Sequence, residues 1–283
     1  MGYNVFTGGK MQNVKLIAFD LDYTLLRTGG ALSDFTKQTL LKAQERGIKL
    51  VPCSGRNLKE MAGVLSLIKC DYVVGLNGSM VYDVNQNKTL VAFLPNQEEI
   101  SKKLKLALDL GLYVEVFCFG DIFTSKYCYD NMKELGVPID LVDFFKKTRV
   151  GLDNFEDKLC EFSQIEKIHI LFKDCAQKSM LLARFTDSDC FNFTSSYSNN
   201  IEIVAKGANK GEGLSRLATI LGLTSEEIMA IGDGDNDVPM LKWAGISVAM
   251  QNAVQQAKQV AKIITDTNDN DGLAKAVIKY ALS

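Results

Sequence analysis

The chain has 283 residues, of which 47% are hydrophobic and 23% charged, and its 32 basic and 34 acidic residues give a net charge of −2. This length and composition predict one or two globular domains, and they exclude a disordered chain and a general nucleic-acid-binding protein with a strong basic excess. The single histidine, His169, excludes a zinc site built from several histidines and leaves carboxylates as the most suitable reactive groups.

The first part of the chain alternates short apolar runs with helical patterns, which is typical of an α/β fold with a parallel sheet. In chain order we predict a strand at 15–19, a helix at 33–46, a strand at 48–53, a helix at 58–68 and a strand at 71–76. Residues 1–12 precede this pattern, and we expect them to be disordered.

The middle of the chain has a different pattern, with hairpin signals between helices. We predict helices at 96–110 and 176–185, and strands at 113–119, 122–125, 167–172, 191–197 and 201–204. Gly120 and Asp121 stand between two of these strands and indicate a hairpin turn. His169 lies in another, and we interpret it as a sheet residue with no catalytic role.

The α/β alternation returns towards the C-terminus, with predicted helices at 211–221, 238–244, 253–261 and 272–282 and strands at 227–231, 246–249 and 263–264. We therefore predict a Rossmann-like, doubly wound parallel-sheet core formed by residues 1–84 and 201–283. An α+β domain, residues 85–200, is inserted into this core. The Asp/Asn-rich segment 266–272 is interpreted as a surface turn.

Seven cysteines are scattered along the chain without a C-x-x-C pair. Because disulfide frameworks are typical of short secreted chains, we interpret these cysteines as reduced, buried thiols of a cytoplasmic protein. No segment approaches the roughly 18 continuous apolar residues of a membrane span. We expect neither a membrane partner nor a nucleic-acid partner.

Acidic side chains follow two of the predicted core strands. Asp20 and Asp22, in the segment D-L-D-Y-T, come directly after the first strand, and G-D-G-D-N-D at 232–237 follows a later one. Ligands of open α/β sheets bind at the carboxyl ends of the strands, so both segments are candidate site residues. Taken alone, each segment is also compatible with a solvated turn.

Two further candidates stand at other strand–helix junctions. Ser54 and Gly55 follow the second strand, where backbone N–H groups at a helix start can approach an anion. Lys210 lies in a glycine-rich turn before a helix and could direct its ammonium group at a phosphate. Alone, Ser54 could be an ordinary helix cap and Lys210 a surface lysine.

The joint occurrence and order of these four segments resemble the haloacid dehalogenase superfamily of aspartate-nucleophile phosphatases. The segment D-L-D-Y-T-L-L at 20–26 is similar to the first motif of the superfamily, Ser54 to the second, Lys210 to the third and G-D-x-x-N-D at 232–237 to the fourth. Only about 30 residues separate Asp22 from Ser54, whereas 153 separate Arg56 from Lys210. That spacing resembles members with a type-two cap domain, which is inserted between the second and third motifs. The segments N-G-S-M-V-Y at 77–82 and I-E-I-V-A-K-G-A-N-K-G at 201–211, and the tail after Asp237, resemble the Cof-type subfamily. Tyr23 is a departure, because many relatives carry glycine there.

The resemblance implies a role for each matched residue. Asp20 would be the nucleophile that forms an aspartyl-phosphate, and Asp22 the general acid and base. Mg²⁺ would be held by Asp20, the backbone carbonyl of Asp22, Asp233 and Asp237. The phosphate and substrate would be bound by the Leu21 amide, Ser54, Gly55, Lys210 and Asn236.

The implied activity is Mg²⁺-dependent hydrolysis of a small phosphorylated metabolite, such as a sugar phosphate, nucleotide or cofactor phosphate, by a monomer or weak homodimer. The inserted cap would exclude water and select the substrate. Two alternatives remain open: a phosphomutase of the phosphomannomutase type and a non-catalytic sensor of phosphorylated ligands. The cap region contains only Arg149 and Arg184, which argues against a mutase that must hold a second phosphate.

Overall fold

A computed structural model describes residues 13–162, 164–185, 190–195 and 199–283 of the chain. The segment 1–12, for which we predicted disorder, lies outside the described residues. The first part of the structure comprises β1 (Leu16–Phe19), a single turn at Leu21–Leu25, α1 (Asp34–Glu45), β2 (Lys49–Pro52), α2 (Leu58–Leu67), β3 (Tyr72–Gly75), a 3₁₀ turn at Leu76–Gly78, β4 (Met80–Asp83) and β5 (Lys88–Ala92).

The middle part comprises α3 (Gln97–Asp109), β6 (Tyr113–Cys118), β7 (Asp121–Ser125), α4 (Lys126–Asp130), α5 (Val142–Thr148), β8 (Val150–Leu152), β9 (Ile165–Leu171), α6 (Cys175–Arg184), β10 (Phe191–Thr194) and β11 (Asn200–Ala205). Two 3₁₀ turns, Ile139–Leu141 and Asp157–Glu161, connect them. The last part comprises α7 (Lys210–Leu221), β12 (Ile228–Gly232), α8 (Val238–Trp243), β13 (Ile246–Ala249), α9 (Gln255–Val260), β14 (Ile263–Ile264) and α10 (Gly272–Ala281), with 3₁₀ turns at Ser225–Glu227 and Asp235–Asp237.

The core is a five-stranded parallel sheet in the order β14-β13-β12-β1-β2, which we call the core sheet. All four residues of β1 are buried, as expected for a strand that is covered on both faces. Chain connections leave β1 towards β2 on one side and reach β12 on the other, so the carboxyl end of β1 lies where the strand order reverses. The predicted parallel-sheet α/β core is confirmed.

The second large sheet has six strands in the order β10-β11-β9-β6-β7-β8, and we call it the cap sheet. One face packs against α3 and α6 in an apolar cluster that includes Val114, Val116, Ile168, Ile170, Ile100, Leu104 and Leu181. Because side chains alternate along a strand, the intervening residues of β6, β9 and β11 lie on the opposite face. That second face carries the polar residues described below.

Strand pairing bears on where the chain passes between the two sheets. The strand β5 pairs with β4 beside the core, whereas we expected the inserted domain to begin at residue 85. The strand β11 pairs with β9 and β10, although we assigned residues from 201 onwards to the core. Backbone hydrogen bonding thus keeps each strand with its sheet, and we propose boundaries within 93–96 and 206–209.

Two further expectations can be compared with the structure. Cys175 and Cys190 are exposed, so our expectation that every cysteine is buried is wrong for these two, while Cys53, Cys70, Cys118 and Cys128 are buried. Among the described residues, none of the helices combines the length and apolar character needed to cross a membrane.

Candidate active site

The carboxyl ends of three neighbouring core strands meet at one pocket. Asp20 follows β1, Ser54 follows β2 after one residue, and Asp233 follows β12. All three line a pocket of about 620 Å³, a volume that includes its open mouth, between the core and the cap sheet. Asp22, Gly55 and Asn236 line it as well. Six of the nine sequence-predicted site residues therefore lie around one space.

Lys210 and Asp237 lie directly beneath this pocket and are fully buried. The Lys210 ammonium group donates to Asp20 Oδ1 at 2.7 Å and to Asp237 Oδ1 at 2.6 Å. Burial disfavours the charged ammonium, but the two carboxylates outweigh it and raise the pKa of Lys210 above its usual value. Lys210 is thus a fixed cation beside Asp20 rather than a surface lysine.

Small residues allow Lys210 to reach this position. Lys210 is the first residue of α7, which Asn209 caps by accepting a hydrogen bond from the Glu212 amide. A Cβ atom at Gly78 would lie 1.9 Å from the Asn209 carbonyl oxygen, and Gly78 has a φ of +91°. Only glycine fits this close approach, which brings the start of α7 against the loop that follows β3.

The carboxylates of Asp20, Asp233 and Asp237 form a cluster in which one ligand oxygen from each lies within 4.8 Å of the others. Burial raises the pKa of Asp20 well above its usual value against the opposing effect of Lys210, and Asp237 and Asp233 raise it further. Burial, followed by the charge of Asp237, raises the pKa of Asp233 to about 7. The cluster is therefore short of positive charge.

The donor set of this cluster fits a hard cation such as Mg²⁺, which prefers carboxylate oxygens. Asp233 Oδ1 accepts from the Thr24 hydroxyl at 2.6 Å, and Asp20 Oδ1 accepts from Lys210, while no hydrogen bond within the described part of the chain engages Oδ2 of either. Asp237 is different, because its Oδ2 accepts from the Asp233 and Gly234 amides at 2.8 Å. Asp237 thus anchors Lys210 and the loop, and Asp20 and Asp233 have oxygens left for a cation.

Asp22 is held at the side of the pocket by Arg56. The guanidinium donates from Nε to Asp22 Oδ2 at 3.0 Å and from Nη2 to Oδ1 at 2.5 Å. This is a bidentate pair, and Arg56 also lies over the ring of Phe144 at 4.7 Å. The Asp22 carboxylate is therefore oriented by a cation outside the Asp20 cluster.

Ser54, Gly55 and Leu21 supply the remaining polar groups. The Ser54 side chain is buried, and its oxygen accepts from the Arg56 amide at 3.2 Å, so the hydroxyl proton can be donated elsewhere. Gly55 lines the pocket, and its carbonyl oxygen accepts from Lys167 of the cap sheet at 2.7 Å. The Leu21 side chain packs in the core, and the role of its amide stays a prediction.

A set of buried polar and charged residues, which we call the cap wall, lies on the side of the pocket formed by the cap sheet: Glu115, Arg149, Lys167, His169 and Glu202. All of them except Glu115 line the pocket. Arg149 donates to Glu115 Oε1 at 2.9 Å and reaches across to Glu60 of the core helix α2 at 2.6 Å. Burial opposes ionisation of Glu115, but Arg149 and then His169 outweigh it and hold the pKa of Glu115 well below its usual value. The wall is therefore internally neutralised.

A second chain of contacts joins the cap wall to the fourth motif. Lys167 donates to Glu202 Oε1 at 2.8 Å, and Glu202 Oε2 accepts a hydrogen bond from the Asn77 side-chain amide. Asn77 in turn accepts from the Asn236 side chain at 3.1 Å. Burial disfavours the Glu202 carboxylate, yet Lys167 outweighs it and lowers the pKa of Glu202 to about 2. Asn236 is thereby connected to the cap sheet.

A model of the haloacid dehalogenase-like hydrolase family matches residues 17–277. The chain belongs to this family. The resemblance carried by the four motifs is thus confirmed at the level of the family, over both core segments and the part between them.

Relatives of this hydrolase family cover almost the whole chain. A 5-amino-6-(5-phospho-D-ribitylamino)uracil phosphatase of Bacillus subtilis is 29% identical over 273 residues, which cover 95% of this chain and 97% of the relative. A second phosphatase of Bacillus subtilis is 29% identical over 286 residues, 92% of this chain and 98% of its own. A haloacid dehalogenase-like hydrolase from Bacteroides thetaiotaomicron superposes with a TM-score of 0.82 at 27% identity, over 94% of this chain and 99% of its own.

Within this haloacid dehalogenase-like fold, the sequence motifs missed the cap wall. His169 lies in β9 as predicted and lines the pocket, where Nδ1 contacts Glu115 and Nε2 contacts Asn200; that it has no catalytic role stays a prediction. A detectable signal was present in β9, where Lys167 and His169 alternate with Ile168 and Ile170. Such alternation places the polar residues on one face, which predicts that this face meets something polar.

Proposed function

We propose that the chain is a Mg²⁺-dependent phosphatase that hydrolyses small phosphomonoesters through a phosphorylated Asp20. The observation that carries the proposal is Lys210, a fully buried cation that contacts Asp20 at 2.7 Å where that carboxylate enters the pocket. A lysine in that position both orients a carboxylate and attracts a phosphate anion. The phosphatase names of the relatives agree with this assignment.

In the first step an Asp20 oxygen attacks phosphorus, and the bond between phosphorus and the leaving-group oxygen breaks. Asp22, which must be protonated and released from Arg56 for this step, donates its proton to that oxygen, so that an alcohol departs. In the second step Asp22 takes a proton from a water molecule, the water oxygen attacks phosphorus, and Asp20 leaves as a carboxylate. Inorganic phosphate is released, and both carboxyl groups return to their starting states.

The other predicted residues bind the phosphoryl group during these steps. Lys210 and the Ser54 hydroxyl would donate hydrogen bonds to its equatorial oxygens, with the backbone amides of Leu21 and Gly55 available nearby. Asp20 and Asp233 would hold the metal, and Asp237 would keep both Lys210 and the Asp233 loop in place. Mg²⁺ bound there supplies the positive charge that lets an anionic carboxylate approach an anionic phosphate.

The charge pattern of the cap wall bears on the leaving group. Arg149 already pairs with Glu60 and Glu115, and Lys167 already pairs with Glu202. A second phosphate would have to compete with these buried carboxylates, which disfavours a phosphomutase and favours a leaving group without charge. Phe117, Phe144 and Phe145 also line the pocket, so such a leaving group could pack its apolar parts against aromatic rings. One relative is named for a phosphorylated ribitylaminouracil, which carries hydroxyl groups and a ring.

The test is turnover of sugar phosphates, nucleoside monophosphates, flavin mononucleotide, pyridoxal phosphate and p-nitrophenyl phosphate by the purified protein. We expect activity with Mg²⁺, none after chelation, and none in Asp20→Asn. Asp235→Asn is the matched control, because Asp235 lies in the fourth motif but is exposed. Mass spectrometry of acid-quenched protein should find one phosphoryl group on Asp20. Absence of turnover for the whole panel, or full activity in Asp20→Asn, would overturn the proposal.

A further inference from the structure

The Asp/Asn-rich segment near the C-terminus is more than a surface turn. Asn268, in this segment, is 5% exposed, and its side-chain amide donates to the Leu26 carbonyl oxygen at 3.1 Å. Leu26 ends the turn at Leu21–Leu25 that carries Asp22. A residue 242 positions away in sequence therefore holds one end of this turn.

A second asparagine holds the middle of the same turn. The Asn252 side-chain amide donates to the Tyr23 carbonyl oxygen at 2.9 Å, and its Oδ1 accepts from the Asn268 backbone amide at 3.0 Å. The two asparagines are thus connected to each other and contact Tyr23 and Leu26. We call this pair, Asn252 and Asn268, the asparagine clamp.

The clamp also has a fixed position relative to Asp233. The loop that contains Asn252 begins with the Met250 amide, which donates to the Gly232 carbonyl at 3.0 Å. It continues to the Val254 amide, which donates to the Asp233 carbonyl at 2.9 Å. The clamp therefore connects the turn that carries Asp22 to the loop that carries Asp233.

The turn needs such support because of Tyr23. Its φ of 58° lies in the left-handed region, which a bulky non-glycine residue adopts only when the surroundings hold it there. Its carbonyl is the group that Asn252 contacts. We expect loss of that contact to let Tyr23 relax towards a negative φ and thereby to displace the adjacent Asp22.

We propose that Asn252 and Asn268 are positioning residues that hold Asp22 in place for proton transfer. The inference rests on the proposed function, because it takes Asp22 as the general acid and base. It predicts that loss of the clamp impairs the steps that need Asp22 and spares those that do not.

Hydrogen–deuterium exchange tests the clamp independently of any activity. The Leu25 and Leu26 amides donate within the turn, to the carbonyls of Asp20 and Leu21. In Asn252→Ala and in Asn268→Ala we expect these two amides to exchange about tenfold faster than in the unaltered chain, as expected for loss of one hydrogen bond. Unchanged exchange in both variants would overturn the inference.

The matched control is Asn270→Ala, in the same segment. Asn270 is exposed, and its side chain contacts only Asp266 of its own loop among the hydrogen bonds of the described residues. Exchange of the Leu25 and Leu26 amides should not change in this variant. In the double variant Asn252→Ala with Tyr23→Asn, the exchange rates of these two amides should fall part of the way back to those of the unaltered chain. The reason is that asparagine adopts the left-handed region more readily than tyrosine. Equal acceleration in Asn270→Ala, or no return in the double variant, would contradict the clamp.

Kinetics then test the consequence for Asp22. p-Nitrophenolate leaves without a proton, so the first turnover of p-nitrophenyl phosphate should stay within about twofold of the unaltered rate in Asn252→Ala, while steady-state turnover falls about tenfold. With an alkyl phosphate, both rates should fall. Equal losses for both phosphates in the first turnover would contradict a role through Asp22. If exchange responds as expected but the unaltered protein turns over no phosphomonoester, the proposed function fails and the clamp on the turn stands.

Discussion

The pKa values of buried carboxylates are shifted in opposite directions on the two sides of the pocket. On the core side, burial raises the pKa of Asp20 and brings that of Asp233 to about 7. On the cap side, cationic partners outweigh burial and lower the pKa of Glu115 and Glu202. Burial is similar on both sides, so the difference lies in the number of cations that each side supplies.

This difference indicates that the two sides have different roles. The core side gathers Asp20, Asp233 and Asp237 around one lysine, an arrangement that becomes stable when a cation joins it. The cap wall carries its own cations and is complete without a ligand. We infer that the core side is built to bind a cation and to accept a phosphoryl group, whereas the cap wall is built to keep its structure next to the leaving group.

The largest effect on stability should follow from removing the cation of the cap wall. Arg149→Met leaves Glu60 and Glu115 buried without their shared partner, and loss of one member of a buried ion pair costs about 3–5 kcal/mol. We expect the free energy of unfolding in urea to fall by about that amount. The exposed Arg184→Met is the matched control and should change it by less than about 0.5 kcal/mol. A change below about 1 kcal/mol in Arg149→Met would show that the cap wall does not depend on this cation.

The corresponding substitution on the core side tests the rate of the reaction. Lys210→Met removes the donor next to Asp20, and loss of one preorganised donor typically lowers kcat by about 10²–10³-fold. Steady-state turnover with saturating Mg²⁺ measures this, with Lys206→Met as control because Lys206 is exposed in the same segment. If kcat falls by less than about tenfold, Lys210 does not take part in the chemical step.

More of the core-side residues than of the cap-side residues could be predicted from the sequence, and the reason is physical. The core residues lie in short segments directly after parallel strands, and the carboxyl ends of such strands meet at one edge whatever the details of packing. Asp20, Ser54 and Asp233 could therefore be grouped from the sequence alone. Lys210 also belonged to a recognisable segment, but its full burial between two carboxylates could not be read from K-G-A-N-K.

The cap wall depends instead on pairings that no local pattern encodes. Arg149 meets Glu60 across 89 residues, and His169 meets Glu115 across 54. These contacts follow from the order of antiparallel strands and from the distance between the cap sheet and α2, both of which are tertiary features. The asparagine clamp was missed for a similar reason, because an Asp/Asn-rich segment is typical of an exposed turn and its sequence does not reveal distant partners.

A smaller effect, on the pH dependence of stability, tests the charge pairing on the cap side. Glu202 has a pKa of about 2 in the folded chain and an ordinary value of 4.5, so its contribution is complete above about pH 4.5 and is lost as the pH falls through 2. A shift of this size corresponds to at most about 3 kcal/mol. We expect the free energy of unfolding to decrease over this range, and to decrease less steeply in Glu202→Gln. Part of the dependence of the unfolding free energy on pH should remain in this variant, because the pKa of Glu115 is lowered as well. The exposed Glu45→Gln is the control, and an identical slope in Glu202→Gln and the unaltered chain would mean that Lys167 does not stabilise the Glu202 carboxylate.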